Sequence, residues 1–573
     1  MIPNLTANAV QILRERYFLR DSKGDVRENV HQLFRRVAEH VASSEKKDQA
    51  QWADTFHRVM SDLEFLPNSP TLMNAGLTNG QLSACFVLPV EDRLEAIFTT
   101  LKNAALIHQS GGGTGYNFSK LRPKDDLVST TGGRSSGPIA FMKVYDAATE
   151  HVKQGGRRRG ANMGILNVNH PDIEMFVTSK SEGENLQNFN ISVGITDDFM
   201  EAVEKDKEWQ LVNQRTKKVS KTIRARALFG LIAEQAQKTG DPGLIFLDTI
   251  NKGNPLPKQG SMQSTNPCGE VPLFDFESCN LGSINLTKMI AQDTGKKEID
   301  WEKLKETVTI AIRFLDNVIT CNYYLLPEIK EKTLANRKIG LGLMGWAELL
   351  LMLDIPYASD EAILLGEKLM KFIQQRSYEA SGNLAKERGS FPSWEKSRYA
   401  PNNPMRNATC NSIAPTGSIS VIANTSYSIE PLYALSYNRV GILDGKTQTE
   451  LNIVFMEKMK HMNLWTEEIK AEVIATGSIQ QVKSIPINIK KLFETSLEIP
   501  WKYHLLHQRA FQKYTDNAVS KTVNLLKTAT VKEVADCYLT AWHYGLKGIT
   551  VYRNGSRQQQ VLQHCSLNMV ENC

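Results

Sequence analysis

The chain has 573 residues, of which 41% are apolar and 23% charged, and carries a formal net charge of +6. Against roughly 100 to 200 residues per domain, that length holds several ordinary domains or one large body, and the balance is that of a folded chain rather than a disordered one. The charge is too dilute to point to nucleic acid, and no run approaches the roughly 18 apolar residues of a membrane span.

The N-terminus "MIPNLTANAVQILRERYFLRD" has no basic start followed by an unbroken apolar stretch, so no signal peptide is expected and a cytoplasmic location follows by default. The eight cysteines contain no CxxC pair, so no metal site is expected from them. In a reducing compartment, thiols that matter should be redox-active or radical-forming.

Residues 1–64 read as a short helical region, with Val10, Leu13 and Tyr17, then Val30, Leu33, Phe34 and Val37 at helical spacing, and with a charge content that places it at the surface. From Phe65 the texture changes: "FLPNSPTLMNAG" is rich in turn formers, and "LSACFVLPV" is a short β-prone run that carries Cys85. Helices over 91–109 and 137–152 each lead into a glycine-rich loop, "SGGGTG" and "KQGGRRRGANMG". Farther on, "TIRARALFGLIAEQAQKTGDPGLIFLD" reads as helix, turn and strand, and "RKIGLGLMGWAELLLMLDI" as a glycine-punctuated run and a helix. The last clear strand is "GITVYRNG", 548–555, and residues 558–573 read as a mobile tail with Cys565 and Cys573. This alternation argues for one large α/β body over 65–557.

The stretch "STNPCGE", Ser264 to Glu270, places a thiol, a carboxylate and an amide on one tight turn. Pro267 fixes φ and Gly269 relieves crowding, so Cys268 sits at a loop tip, with Glu270 as a general base and Asn266 as donor and acceptor for a polar ligand. Eleven residues on, "ESCNLGSINL" places Cys279 at the head of a second small-residue run. "APTGSIS", 414–420, suits an anion at a helix start but lacks the lysine of a Walker loop.

With "GGGTGYNFSKLRP", "GGRRRGANMGILNV" and "KGITVYRNGSR" these segments stand in an order that resembles ribonucleotide reductase, specifically the class II, adenosylcobalamin-dependent catalytic chain, over roughly Phe65 to Arg557. The resemblance implies a ten-stranded α/β barrel of two five-stranded halves with a central finger loop. It implies reduction of ribonucleotides, expected to be diphosphates, to deoxyribonucleotides. Cys268 would carry a thiyl radical that removes the ribose 3′ hydrogen, Glu270 would take the 3′-hydroxyl proton, Asn266 would bond the sugar, and Cys85 and Cys279 would close to a disulfide.

Substrate contacts carried over by resemblance fall at Ser69, Ala84, Cys85, Gly113, Asn266, Pro267, Cys268, Gly269 and Glu270, and, for the phosphates, at Pro415, Thr416, Gly417, Ser418, Ile419 and Ser420. A deoxynucleotide effector would meet Asp146 and Arg157, Arg158 and Arg159 near the interface of a homodimer. Cys565 and Cys573 would relay electrons from thioredoxin or glutaredoxin. No ATP-binding cone is expected from the N-terminal segment. An adjacent Tyr-Tyr pair at Tyr552 would mark a class I chain that needs a separate metal subunit; "GITVYRNG" has a single tyrosine there, which favours adenosylcobalamin. The other readings are a catalytically silent nucleotide-binding homologue, against which the Cys85, Cys268, Cys279, Asn266, Glu270 set speaks, and a thiol-based metal or redox protein, which would need clustered ligands.

Overall fold

The computed structural model describes residues 5–128, 132–154, 158–181, 186–291, 297–443 and 446–556. Five strands, Cys85–Val87, Gly113–Asn117, Asn162–Asn167, Phe189–Ile195 and Gly243–Phe246, lie side by side in chain order, every pair parallel. Parallel neighbours need crossovers. Helices Leu94–Gln109, Pro138–His151, Ile173–Thr178 and Ala225–Thr239 lie in the four connections, the last with helix Asp197–Glu204 before it.

A second parallel run starts with Ser278–Asn285 and Ile339–Met344. It continues through the segment 411–413, bridged to Leu341 on one side and to Val519 on the other, and ends in Thr522–Leu525 and Gly548–Arg553. Leu341 N donates to Cys410 O at 2.7 Å and Ser520 N to Ile413 O at 2.9 Å. The runs meet antiparallel at both seams, Cys279 opposite Cys85 and Leu244 opposite Ile549. The ring therefore closes as two parallel halves of five, as expected, with the eighth member reduced to a bridged segment. Strands Ser278–Asn285 and Ile339–Met344 are buried along their whole length, as strands covered on both faces must be.

The N-terminal region holds helices Val30–Ala42, fixed by an Asn29/Gln32 capping box, and Gln49–Ser61. Most of its charges face solvent, but Glu28, Glu45 and Glu64 are buried, and the region is no surface appendage. Leu33, Phe34, Val37 and Phe56 are fully buried in one core with Phe65 and Phe314, against which Phe56 packs edge-on. Glu45, 4% exposed, meets Arg313 and Arg388, and Arg388 in turn meets the fully buried Asp316. The amphipathic spacing that marks these helices also hides how much they bury, because composition counts the charged face. Residues 432–493 add an element that sequence patterning had not separated, with a small core of its own around Leu435, Phe455, Val473 and Phe493.

Candidate active site

Between the halves, residues 247–277 leave the wall, and after helix Leu247–Lys252 they form a hairpin that packs against strand Gly113–Asn117. Its limbs pair at Ser264 with Leu273 and Thr265 with Pro272, and Asn266 N donates to Val271 O at 3.3 Å. At the tip, Gly269 N donates to Asn266 O at 3.1 Å, a β-turn with Pro267 and Cys268 at its centre. Cys268 keeps a negative φ while Gly269 takes +83°, so the turn is of type I, which favours Pro second and Gly fourth. The sequence thus selects the turn and the turn exposes the thiol: Cys268 is exposed where Asn266 and Glu270 are each 2% exposed.

The glycines of "GGGTG" make room for this hairpin. A Cβ on Gly113 would lie 2.8 Å from Pro267 Cγ, and one on Gly115 only 1.7 Å from Thr265 O. The remaining ties come from several strands. Asn190 Nδ2 donates to Pro267 O at 2.9 Å, Ala518 N to Glu270 O at 2.8 Å, and Ser412 Oγ to the same carbonyl at 2.9 Å. None of these three donors was marked by a motif.

Cys85 and Cys279 face each other across the antiparallel seam. Directly opposed residues in such a ladder have Cα atoms about 4.5–5.5 Å apart, inside the range a disulfide spans. They share a small buried cluster with Ala84, Val271 and Ala414. Asn266 joins the finger to this pair, its Nδ2 donating to Cys85 Sγ at 3.1 Å while its Oδ1 accepts from Val271 N at 3.0 Å. Burial pushes the Cys279 thiol far above its ordinary range, with Lys338 drawing it down and Glu277 and Glu270 adding to the rise. It is therefore held as a thiol, carrying its proton.

Other expected residues are placed as follows. Ser69 opens helix Ser69–Asn74, its Oγ 2.8 Å from the Tyr17 hydroxyl. Ala84 bonds by N to Cys279 O and by O to Gly113 N. In 414–420, Pro415, Gly417 and Ser420 line the cavity described below; Ser418 caps the short helix Ile419–Ala423, and Thr416, at φ +61°, accepts from Ser428 N through its hydroxyl. Asp146, on helix Pro138–His151, accepts from Asn188 N at 2.8 Å. The backbone of Arg158 and Arg159 pairs with Gln154 and Lys153; Arg157, Cys565 and Cys573 lie outside the described residues.

Cys268 opens on a cavity of about 1100 Å³ that also reaches Glu430, Tyr433, Ser496, Gln508, Lys521 and Tyr552, larger than the roughly 300–1,000 Å³ typical of a small-ligand pocket. Lys521, wholly buried, pairs with Glu430 and donates to His504 Nδ1 at 2.8 Å. Gln508 Oε1 and Ser496 Oγ, on residues 1% and 2% exposed, have no hydrogen-bond partner among the described residues, and a buried orphan of this kind calls for a ligand or water. Nothing in the sequence marked them, because they stand 228 and 240 residues beyond Cys268 in the chain. Among the described residues no three His, Cys, Asp or Glu side chains gather as a metal site.

The barrel of two parallel halves thus carries a thiol-tipped finger that is tied through Asn266 to a cross-strand cysteine pair. The family described as ribonucleotide reductase, barrel domain, matches residues 83–404 and 400–552, and the family's all-alpha domain matches residues 3–80; the chain belongs to the ribonucleotide reductase family. It is 48% identical, over 97% of its length and 80% of theirs, to the vitamin B12-dependent ribonucleoside-diphosphate reductase of Thermoplasma acidophilum, and 48% identical over 98% and 80% to that of Mycobacterium tuberculosis. The class Id ribonucleotide reductase alpha subunit of Actinobacillus ureae shares its fold, with a TM-score of 0.80 at 24% identity over 96% of this chain and 97% of that one.

Proposed function

We propose that the chain reduces ribonucleoside diphosphates to 2′-deoxyribonucleotides with adenosylcobalamin as radical source. The observation that carries this reading is the placement of Cys268 at a cavity wall with Asn266, two residues away, bonded to one member of the Cys85–Cys279 pair.

In this reading the Cys268 thiyl removes the 3′ hydrogen of the sugar, which no acid or base could take from an unactivated carbon. Glu270 takes the 3′-hydroxyl proton, and the 2′-hydroxyl leaves as water. The two electrons and two protons of that reduction come from the thiols of Cys85 and Cys279, which become a disulfide, and the Cys268 thiol returns a hydrogen to C3′. Burial suits Cys279 to the task, because a thiol delivers its proton with its electron. Asn266 links the sugar to Cys85, and residues 415–420 receive the phosphates. Ser69, Ala84 and Gly113 complete the substrate wall.

Adenosylcobalamin, when bound, supplies the radical that Cys268 receives. The residues fit such a group. The cavity exceeds what a nucleotide needs, and the corrin rim carries primary amides that match the unpaired acceptor of Gln508, the Ser496 hydroxyl and the Glu430 carboxylate. These residues, with Tyr433 and Tyr552, would hold it. The chain-level assignments that go with this reading are a helical region over 1–64, the catalytic barrel over 65–557 and a tail over 558–573 whose Cys565 and Cys573 pass electrons from thioredoxin or glutaredoxin. A deoxynucleotide at Asp146 and Arg157, Arg158 and Arg159 would set base preference. A homodimer is supported by Leu94, Phe98 and Leu106 on helix Leu94–Gln109 and Val144 on its neighbour, all exposed apolar side chains. Among the described residues no helix is long and apolar enough to cross a membrane, and the working location is the cytoplasm.

The test is an anaerobic assay of the purified chain with a ribonucleoside diphosphate, a dithiol and adenosylcobalamin. Deoxynucleotide should form only when the cobalamin is present. Strict dependence on an added metal-bearing subunit would replace this reading by the class I one, and absence of product under both conditions would leave a silent homologue.

A further inference from the structure

At the foot of the finger, where its descending limb turns into the Cys279 strand, a buried ion pair holds the two together. Lys338 Nζ lies 2.6 Å from Glu277 Oε2, and both side chains are 1% exposed. The same carboxylate accepts from Phe274 N at 2.8 Å and from Asn336 Nδ2 at 2.5 Å. Lys338 also stands 4.5 Å from the centre of the Phe274 ring and 3.7 Å from Met262 Sδ, on the ascending limb. Asn336 exchanges two amide hydrogen bonds with Gln259, 3.0 and 3.1 Å long, at the start of that limb. Both limbs therefore end on one charged cluster.

The joint itself is strained. Phe276 has φ +63°, a left-handed conformation that is an outlier for a bulky aromatic and that persists only where its surroundings over-determine it. Its N donates to Val87 O, and Val87 N donates to Glu277 O, so the strand carrying Cys85 pins the joint from the other side. Apart from their opposed pulls on the Cys279 thiol, nothing in the proposed chemistry uses Glu277 or Lys338. A buried pair of this kind is a weak source of stability, which leaves the geometry it enforces as the reason for its presence.

We propose that Glu277 and Lys338 are positioning residues that set the height of the finger, keeping Cys268 where its sulfur and the Cys85–Cys279 pair reach the same sugar. The inference rests on the reductase reading above. Because the backbones of Cys85 and Cys279 are set opposite each other by the strand ladder, removing the pair should disturb turnover without disturbing their own ability to join.

The variants are Glu277→Gln, Lys338→Met, the double Glu277→Gln/Lys338→Met, and Lys338→Arg as the conservative control, each in the full chain with adenosylcobalamin. The double variant is the decisive one, since it leaves no unpaired buried charge. It should lower kcat at least tenfold with KM within twofold of the parent. Diamide, which takes up the two thiol hydrogens, should still join Cys85 to Cys279 at a rate within twofold, read by peptide mapping. Lys338→Arg should recover most of the rate. A double variant with kcat within twofold of the parent overturns the proposal, as does one in which KM or the diamide rate worsens in step with kcat, or one that does not fold. An inactive parent chain would instead count against the reductase reading.

Discussion

Replacing Gly115 by Ala would probe the finger from the barrel wall. The new Cβ would stand 1.7 Å from Thr265 O and 2.8 Å from Thr265 C, where ordinary contact begins at 3.4 Å. One partner must retreat by well over 1 Å. Strand Gly113–Asn117 is held in register on both sides, by Cys85–Val87 and by Asn162–Asn167, whereas the hairpin has two ladder pairs and otherwise single hydrogen bonds near its tip; the hairpin gives way. A misplacement of about 1 Å at a reacting group lowers rate on the order of 100-fold, while overpacking of this kind costs about 1–3 kcal/mol of stability. The expected result is a chain that folds and binds nucleotide, with a slightly lower Tm, and a kcat down by about two orders of magnitude. Gly230→Ala is the control: it lies inside helix Ala225–Thr239 with nothing within 4 Å of its Cβ, and should stabilise by roughly 0.5–1 kcal/mol without changing kcat. Both are read by anaerobic turnover and circular-dichroism melting. A Gly115→Ala chain with kcat within threefold of the parent would refute the claim that this glycine seats the finger.

Two further outcomes concern His108 and Ser496. His108 is buried beside Thr114, 2.8 Å from its hydroxyl, and burial lowers its pKa from 6.5 to about 4. The unfolded chain therefore binds this proton first as pH falls, so stability is full above about pH 6.5 and is lost towards pH 4, by roughly 3 kcal/mol for this group; urea unfolding of His108→Gln should show a correspondingly shallower fall than the parent over that window, and an identical pH dependence would contradict it. Ser496→Ala removes one unpaired hydroxyl from the cavity and should weaken cobalamin binding about fivefold, the equivalent of one hydrogen bond of roughly 1 kcal/mol, in a spectral titration with nucleotide affinity unchanged; unaltered cobalamin affinity would remove Ser496 from that wall.

Much of the barrel was legible because its strands are short, apolar and separated by turn formers, and because "NPCG" specifies its own turn. Cys85 and Cys279 could be paired only through resemblance, since nothing local brings together residues so far apart in the chain; the antiparallel seam does so in three dimensions. The segment 411–413 escaped notice because "CNSIAPTG" is too short and too polar to read as a strand, and it is held by neighbours on both sides rather than by propensity. The small core around Phe455 stayed hidden for a related reason: its apolar residues are spread over several short helices, none periodic enough to announce a separate unit. Glu277 and Lys338 look like ordinary surface charges in sequence, and only the fold reveals that they are buried.

The most direct test of the central claim is electron paramagnetic resonance on anaerobic samples frozen during the first turnover with adenosylcobalamin and a ribonucleotide. If the spin resides on the sulfur of Cys268, the signal should change shape when the chain is grown with cysteine deuterated at Cβ, and Cys268→Ser should lose both that signal and deoxynucleotide formation while still binding nucleotide. A Cys268→Ser chain that keeps the signal and makes product would contradict the account.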